Sequence, residues 1–144
     1  MIPAVSRTLA KLFADETSLK GTEQIDFHPP SRSLVGASVL SVYCYGIQAN
    51  TEVHQKRIAG MNLSFLISAW DATVLGEQQL LSEVLSSLLR HRRLAGDWLA
   101  PELQECSELS IEVESIPAIE PVVLWKSLGV PIRPALYIRV QVPV

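Results

Sequence analysis

Val39-Leu40-Ser41-Val42-Tyr43-Cys44-Tyr45-Gly46-Ile47 and Met61-Asn62-Leu63-Ser64-Phe65-Leu66-Ile67-Ser68-Ala69 are the two stretches that decide the fold. Both are rich in branched or aromatic residues, which favour a pleated, half-covered surface. In the first, Leu40, Val42 and Cys44 share one face against Ser41, Tyr43 and Tyr45; in the second, Met61, Leu63, Phe65, Ile67 and Ala69 alternate with Asn62, Ser64 and Ser68. A period of two belongs to a strand with one face buried. The two segments therefore read as paired strands joined by a polar, exposed connection over 50–60. The uncharged run 33–51 approaches the length of a membrane helix, but Gly36, Gly46, Gln48, Asn50 and three serines interrupt it, and a sheet strand fits it better.

Upstream, Ile2, Val5, Leu9, Leu12 and Phe13 recur at helical spacing, with Arg7 and Lys11 on the other side and Pro3 where a first turn tolerates proline. A polar link over 15–22 leads to a short extended piece over 23–27, which Pro29 and Pro30 end. Downstream, from Leu75 the period becomes helical, with Leu81, Val84, Leu85, Leu88 and Leu89 in one stripe. An irregular connection over 97–107 follows. Leu109, Ile111 and Val113 then alternate with Ser110, Glu112 and Glu114 as a strand with one wet face, closed by Pro117. Proline near its start and Gly129 and Pro131 past its end mark a short helix over 121–128, and a last strand spans 135–142. Helix, three extended segments, helix, strand, helix, strand is an α+β order. The expectation is a single domain over 1–144, with a mostly antiparallel mixed sheet and about three helices packed on one face.

A length of 144 residues suits one core, and 12 Lys and Arg against 15 Asp and Glu leave a charge of -3. With 48% apolar residues and a mean hydropathy of +0.24, the chain is neither a disordered tail nor a basic nucleic-acid binder. Its charged fraction, 19%, lies below the roughly 25% usual for soluble domains, which points to a subunit partly covered by copies or partners. Two cysteines, Cys44 and Cys106, are too few for a disulfide scaffold and lack metal or redox spacing, so both are expected reduced, with Cys44 in the core. Arg7 and Lys11 interrupt any signal-peptide core, and the expected location is cytoplasmic.

Motifs for chemistry are missing from the sequence. It has no glycine-rich phosphate loop, no His-Glu-x-x-His pair, no Gly-x-Ser-x-Gly elbow and no Cys/His cluster at ligand spacing. His28, His54 and His91 stand far apart. Glu112 and Glu114 share one face of a strand, where two carboxylates are ordinarily solvated rather than an acid/base pair. No catalytic residue, cofactor, metal, small-molecule substrate or nucleic acid is expected. Charge says more. Arg90, Arg92 and Arg93 close a helix, and seven acids with no Lys or Arg follow before Lys126. The cluster has two readings: compensation of the helix dipole, or a surface that meets the acidic tract, including Glu112 and Glu114, of a neighbouring subunit. Trp98, between cluster and tract, is either an interface anchor or a local core plug.

A resemblance runs through these residues in order. It is carried by Met1-Ile2, Val5-Ser6, Thr8-Leu9 and Leu12; Asp26-Phe27 before Pro29-Pro30; Leu40-Ser41-Val42-Tyr43 with Tyr45 and Asn50; and Leu63-Ser64-Phe65-Leu66-Ile67-Ser68-Ala69-Trp70. Glu77, Leu80-Leu81, Leu124-Trp125-Lys126-Ser127-Leu128, Arg133-Pro134 and Tyr137 complete it. The whole chain resembles the tail terminator, or cap protein, family of phage-tail-like extracellular contractile injection systems of the antifeeding-prophage and virulence-cassette type. The resemblance implies a non-enzymatic subunit of a ring, a homohexamer, at the baseplate-distal end of the inner tube. Such a ring ends tube and sheath growth and links sheath to tube. Its partners would be itself, the inner tube protein, the sheath protein and a second terminator paralogue. A tube-to-baseplate adaptor of the same machine is the near alternative; a small ligand-binding domain or hydrolase is the distant one.

Overall fold

A computed structural model describes residues 1–52, 57–105 and 108–143. Three helices, α1 (Ile2–Glu16), α2 (Val74–Arg90) and α3 (Pro121–Leu128), accompany six strands: β1 (Ile25–Asp26), β2 (Val39–Glu52), β3 (Arg57–Trp70), β4 (Arg93–Leu94), β5 (Leu109–Val113) and β6 (Leu136–Pro143). The strands form one sheet in the order β1-β2-β3-β6-β5-β4, antiparallel throughout except for the parallel β1–β2 pair. The α+β class and the mixed sheet are as the sequence predicts.

The main core lies between one sheet face and two helices. Val5, Leu9, Leu12 and Phe13 of α1 and Leu80, Val84 and Leu88 of α2 bury against Leu40, Val42, Leu63, Phe65, Ile67, Ile138 and Val140. The α2 stripe is rotated from its expected position: Leu80 is buried while Leu89 is half exposed. Thr73 starts this helix by accepting from the Gly76 N–H at 3.0 Å, a side-chain cap that fixes the turn out of β3.

The expectation of three helices on one face needs correction. α3 packs on the opposite face, where Leu124, Trp125 and Val130 bury with Leu34, Leu66 and Trp70. Trp125 Nε1 donates to the Tyr137 hydroxyl at 3.0 Å. Leu66 and Trp70 alternate with Leu63, Phe65, Ile67 and Ala69, so β3 feeds both cores, and every residue from Leu63 to Trp70 is buried. The expectation of one wet face on this strand fails for that reason. The exposed connection over 50–60 is also shorter than expected, because backbone pairing runs to Glu52↔Arg57; ladder bonds need no apolar side chains. The sequence reading closes α2 with Arg90, Arg92 and Arg93, but the helix ends at Arg90 and Arg93 opens the two-residue strand β4.

Candidate functional site

The α2–β4 corner gathers the expected interface residues. α2 ends at Arg90 and β4 begins at Arg93, so the helix-closing cluster divides: Arg90 and His91 turn to Glu16 while Arg93 turns to Glu108. Arg90 Nη2 reaches Glu16 Oε2 at the end of α1 at 2.9 Å, and His91 Nε2 engages the other oxygen of the same carboxylate. The His91 bond first, then the Arg90 bond, holds the Glu16 carboxyl below its ordinary range. The His91 ring meets Trp98 edge to face, with centroids 5.3 Å apart. Trp98 is half-buried and packs against the main core, so locally it is a plug. Arg93 Nη1 lies 3.5 Å from Glu108 Oε1 on an exposed surface. Arg92 is exposed, has no ion-pair partner among the described residues, and lines a groove of about 250 Å³ with Leu88, Leu89, Ile111, Glu112 and Val113.

Glu112 and Glu114 share a strand face yet differ in surroundings. Glu112 is exposed and pairs with Arg139, its cross-strand neighbour on β6. The half-buried Glu114 has its carboxyl pushed up by burial. Its Oε1, like the Tyr45 hydroxyl, is buried with no hydrogen-bond partner among the described residues. Burial first, then the Glu114 charge, pushes the Tyr45 phenol up. Of the helix-closing arginines, then, Arg90 and Arg93 have ion-pair partners and Arg92 has none among the described residues.

A second cluster gives physical meaning to residues known from the sequence only through the resemblance. The Arg133 guanidinium lies 3.6 Å over the Trp70 ring, pairs with Glu77 and donates to the Ala69 carbonyl at 3.2 Å. It ties the segment between α3 and β6 to the β3–α2 corner. Sequence reasoning missed both this cluster and the Glu16 contact, since ion pairs separated by 56 or 74 residues leave no local pattern.

Among the described residues no group of three His, Cys, Asp or Glu could hold a metal, and no helix is long and apolar enough to cross a membrane. His28 is exposed beside Asp26, at 2.8 Å; His54 and Cys106 lie outside the described residues. Cys44 is a free, half-buried thiol pushed up by burial. Two clefts of about 340 and 320 Å³, one beside Asn50 and Gln141 and one beside Lys20 and Asp71, contain neither His nor Cys. Large apolar residues are nevertheless exposed: Ile116 (85%) in the loop after β5, Val122 (57%) and Val123 (58%) on α3, and Val74 (66%) and Leu75 (76%) at the start of α2.

The fold is an α+β domain that leaves several large apolar residues uncovered. The chain belongs to the Pvc16 N-terminal domain family, which matches residues 4–144. Its fold is that of the sheath/tube terminator of an extracellular contractile injection system, PVC, in the extended state: TM-score 0.70 and 21% identity, covering 100% of this chain and 56% of that one. The tube-terminating cap of the anti-feeding prophage is similar at TM-score 0.61 and 19% identity, covering 97% of this chain and 53% of that one. The chain thus spans little more than half the length of these two proteins. No curated protein sequence gives a match.

Proposed function

We propose that this domain is a structural terminator subunit of a phage-tail-like contractile injection system. It would assemble in the cytoplasm as a ring, hexameric by the resemblance, at the baseplate-distal end of the particle, where it stops tube and sheath growth and joins the two. The observation that carries this reading is whole-chain likeness, residues 4–144 to the family and the full chain to the fold of a sheath/tube terminator. Low charge and uncovered apolar residues support it, because both suit a surface that other chains cover. Its partners are copies of itself, the tube protein, the sheath protein and a paralogous terminator, and its role is not enzymatic. Arg92 is the interface residue in this reading, supported by its exposure and by its having no ion-pair partner among the described residues; Trp98 packs edge to face on His91 at the same corner.

Electron microscopy of particles made with and without the chain tests the reading. Its deletion should give tubes of uncontrolled length or unstable sheathed particles, and a labelled chain should mark the end away from the baseplate. Label at the baseplate end would favour the adaptor instead. Unchanged tube lengths in a strain also lacking any paralogue would overturn both.

A further inference from the structure

Both ends of the sheet are unfinished, and in complementary ways. At one end β1 covers the outer edge of β2 only at Leu40 and Ser41. From Val42 to Glu52 no strand lies beside that edge among the described residues, and Ile47, Gln48, Ala49 and Asn50 are exposed. At the other end β4 covers β5 only at Leu109 and Ser110. Beyond them, one bond from the Ile111 N–H to the Arg92 carbonyl, at 2.7 Å, begins the open edge that forms the groove beside Ile111 and Val113. A long open edge is a template for pairing, which proteins commonly blunt with Lys or Pro; β2 contains neither.

The rungs of the sheet show how these ends fit. Gly46, Ser64, Arg139 and Glu112 share one rung, and Gln48, Asn62, Gln141 and Ser110 share another. β1 therefore covers its edge below the rung of Gly46, while β4 covers the opposite edge from the rung of Gln48 upward. If β5 of one copy stands one strand's width from β2 of the next, a slot about 10 Å wide lies between them. β1 of one copy enters the slot from below and β4 of the other from above. Directions agree too. β1 is parallel to β2; β4 is antiparallel to β5, which three antiparallel steps make antiparallel to β2. Both short strands thus run the same way in the slot.

We infer that copies of this chain join sheet to sheet by a lap joint in which β1 of one copy and β4 of the next share one strand position between β2 and β5. Charge fits the same occupant. β2 carries no cation, and the residue just before the arriving β4 is Arg92, exposed and with no ion-pair partner among the described residues. The joint is heterologous, so each copy keeps one free end of each kind, and repetition gives a ring where the rotation per step closes, as the proposed ring requires. This inference rests on the proposed ring and deepens it by naming the surfaces that meet.

Disulfide trapping tests it. In a Cys44→Ser, Cys106→Ser background, Gln48→Cys combined with Arg93→Cys should give a covalent ladder ending in a closed ring on oxidation, while neither single cysteine should give one. In the unmodified assembly, amide hydrogen exchange over 42–50 should slow at least tenfold relative to the monomer. A ring by microscopy without the ladder and with unchanged exchange would overturn the joint and leave the ring reading standing. Dimers from Gln48→Cys alone would mean two-fold pairing of β2 and also overturn it. If neither the purified chain nor isolated particles contain a ring, the ring reading fails and the joint with it.

Discussion

Trp125 shows how much one residue can reveal in the sequence and how much it withholds. Its place in a short apolar helix predicts an anchor on the sheet, and it is 1% exposed; which face it anchors to was not legible. Trp125→Ala should cost about 3–5 kcal/mol, as for other buried aromatic truncations, and chemical denaturation would measure it. Trp125→Phe keeps most of the apolar volume and leaves the Tyr137 hydroxyl without its donor, so it should cost far less, about 1 kcal/mol. Glu16 is the opposite case, an ordinary helix-end glutamate in the sequence that the fold makes into a shared partner of Arg90 and His91. Its folded-state carboxyl titrates below the unfolded one, so its contribution is present above the ordinary glutamate range and is lost as pH falls through the lowered value. Glu16→Gln should therefore melt earlier than the parent protein near neutrality, with the difference shrinking as pH drops below that range. Parallel melting curves that keep one offset at all pH values would show that the pair contributes nothing.

Elements were legible where their ends carry chemistry. The bounds of α3 follow from the sequence because proline opens it and glycine closes it: Glu120 accepts from the Val123 N–H at 3.1 Å, and Gly129 adopts φ 71°, where side chains are strained. Its orientation was hidden because apolar residues surround it, Val122 and Val123 outward and Leu124 and Trp125 inward, so no stripe marks a buried side. β2 and β3 outrun their apolar alternation for a related reason, since the ladder at Gln48↔Asn62 is held by backbone bonds between polar residues. β4, at two residues, is too short for any period, whereas β1, equally short, lies inside the extended piece over 23–27 that the double proline ends. Two substitutions test the ends. Thr73→Ala removes the α2 cap and should lower stability by about 1 kcal/mol. Gly129→Ala forces a side chain into the left-handed region and should cost about 1–2 kcal/mol. Thermal unfolding of each variant, with helix content by circular dichroism, distinguishes loss of a cap from loss of the helix.

At the scale of the molecule, the division of charge separates folding from assembly. Arg90 is occupied by Glu16, Arg93 by Glu108 and Glu112 by Arg139, whereas Arg92 is exposed beside the open edge of β5 with no ion partner among the described residues. A cation paired within the chain is engaged in the monomer; one left over at an edge remains free to pair where another chain arrives. Arg90→Glu places like charges together at the α1–α2 corner and should lower the monomer's melting temperature. Arg92→Glu should leave that temperature within the scatter of surface substitutions, about 0.5 kcal/mol, and weaken the oligomer instead. Because the same contact recurs at every joint of a ring, a small loss per joint is multiplied around it, and added salt should weaken the parent assembly in the same direction. Light scattering across a concentration series at low and high salt, paired with melting of the dilute monomer, reads both effects. An oligomer as strong in Arg92→Glu as in the parent chain would confine this arginine to the helix dipole and remove charge from the account of assembly.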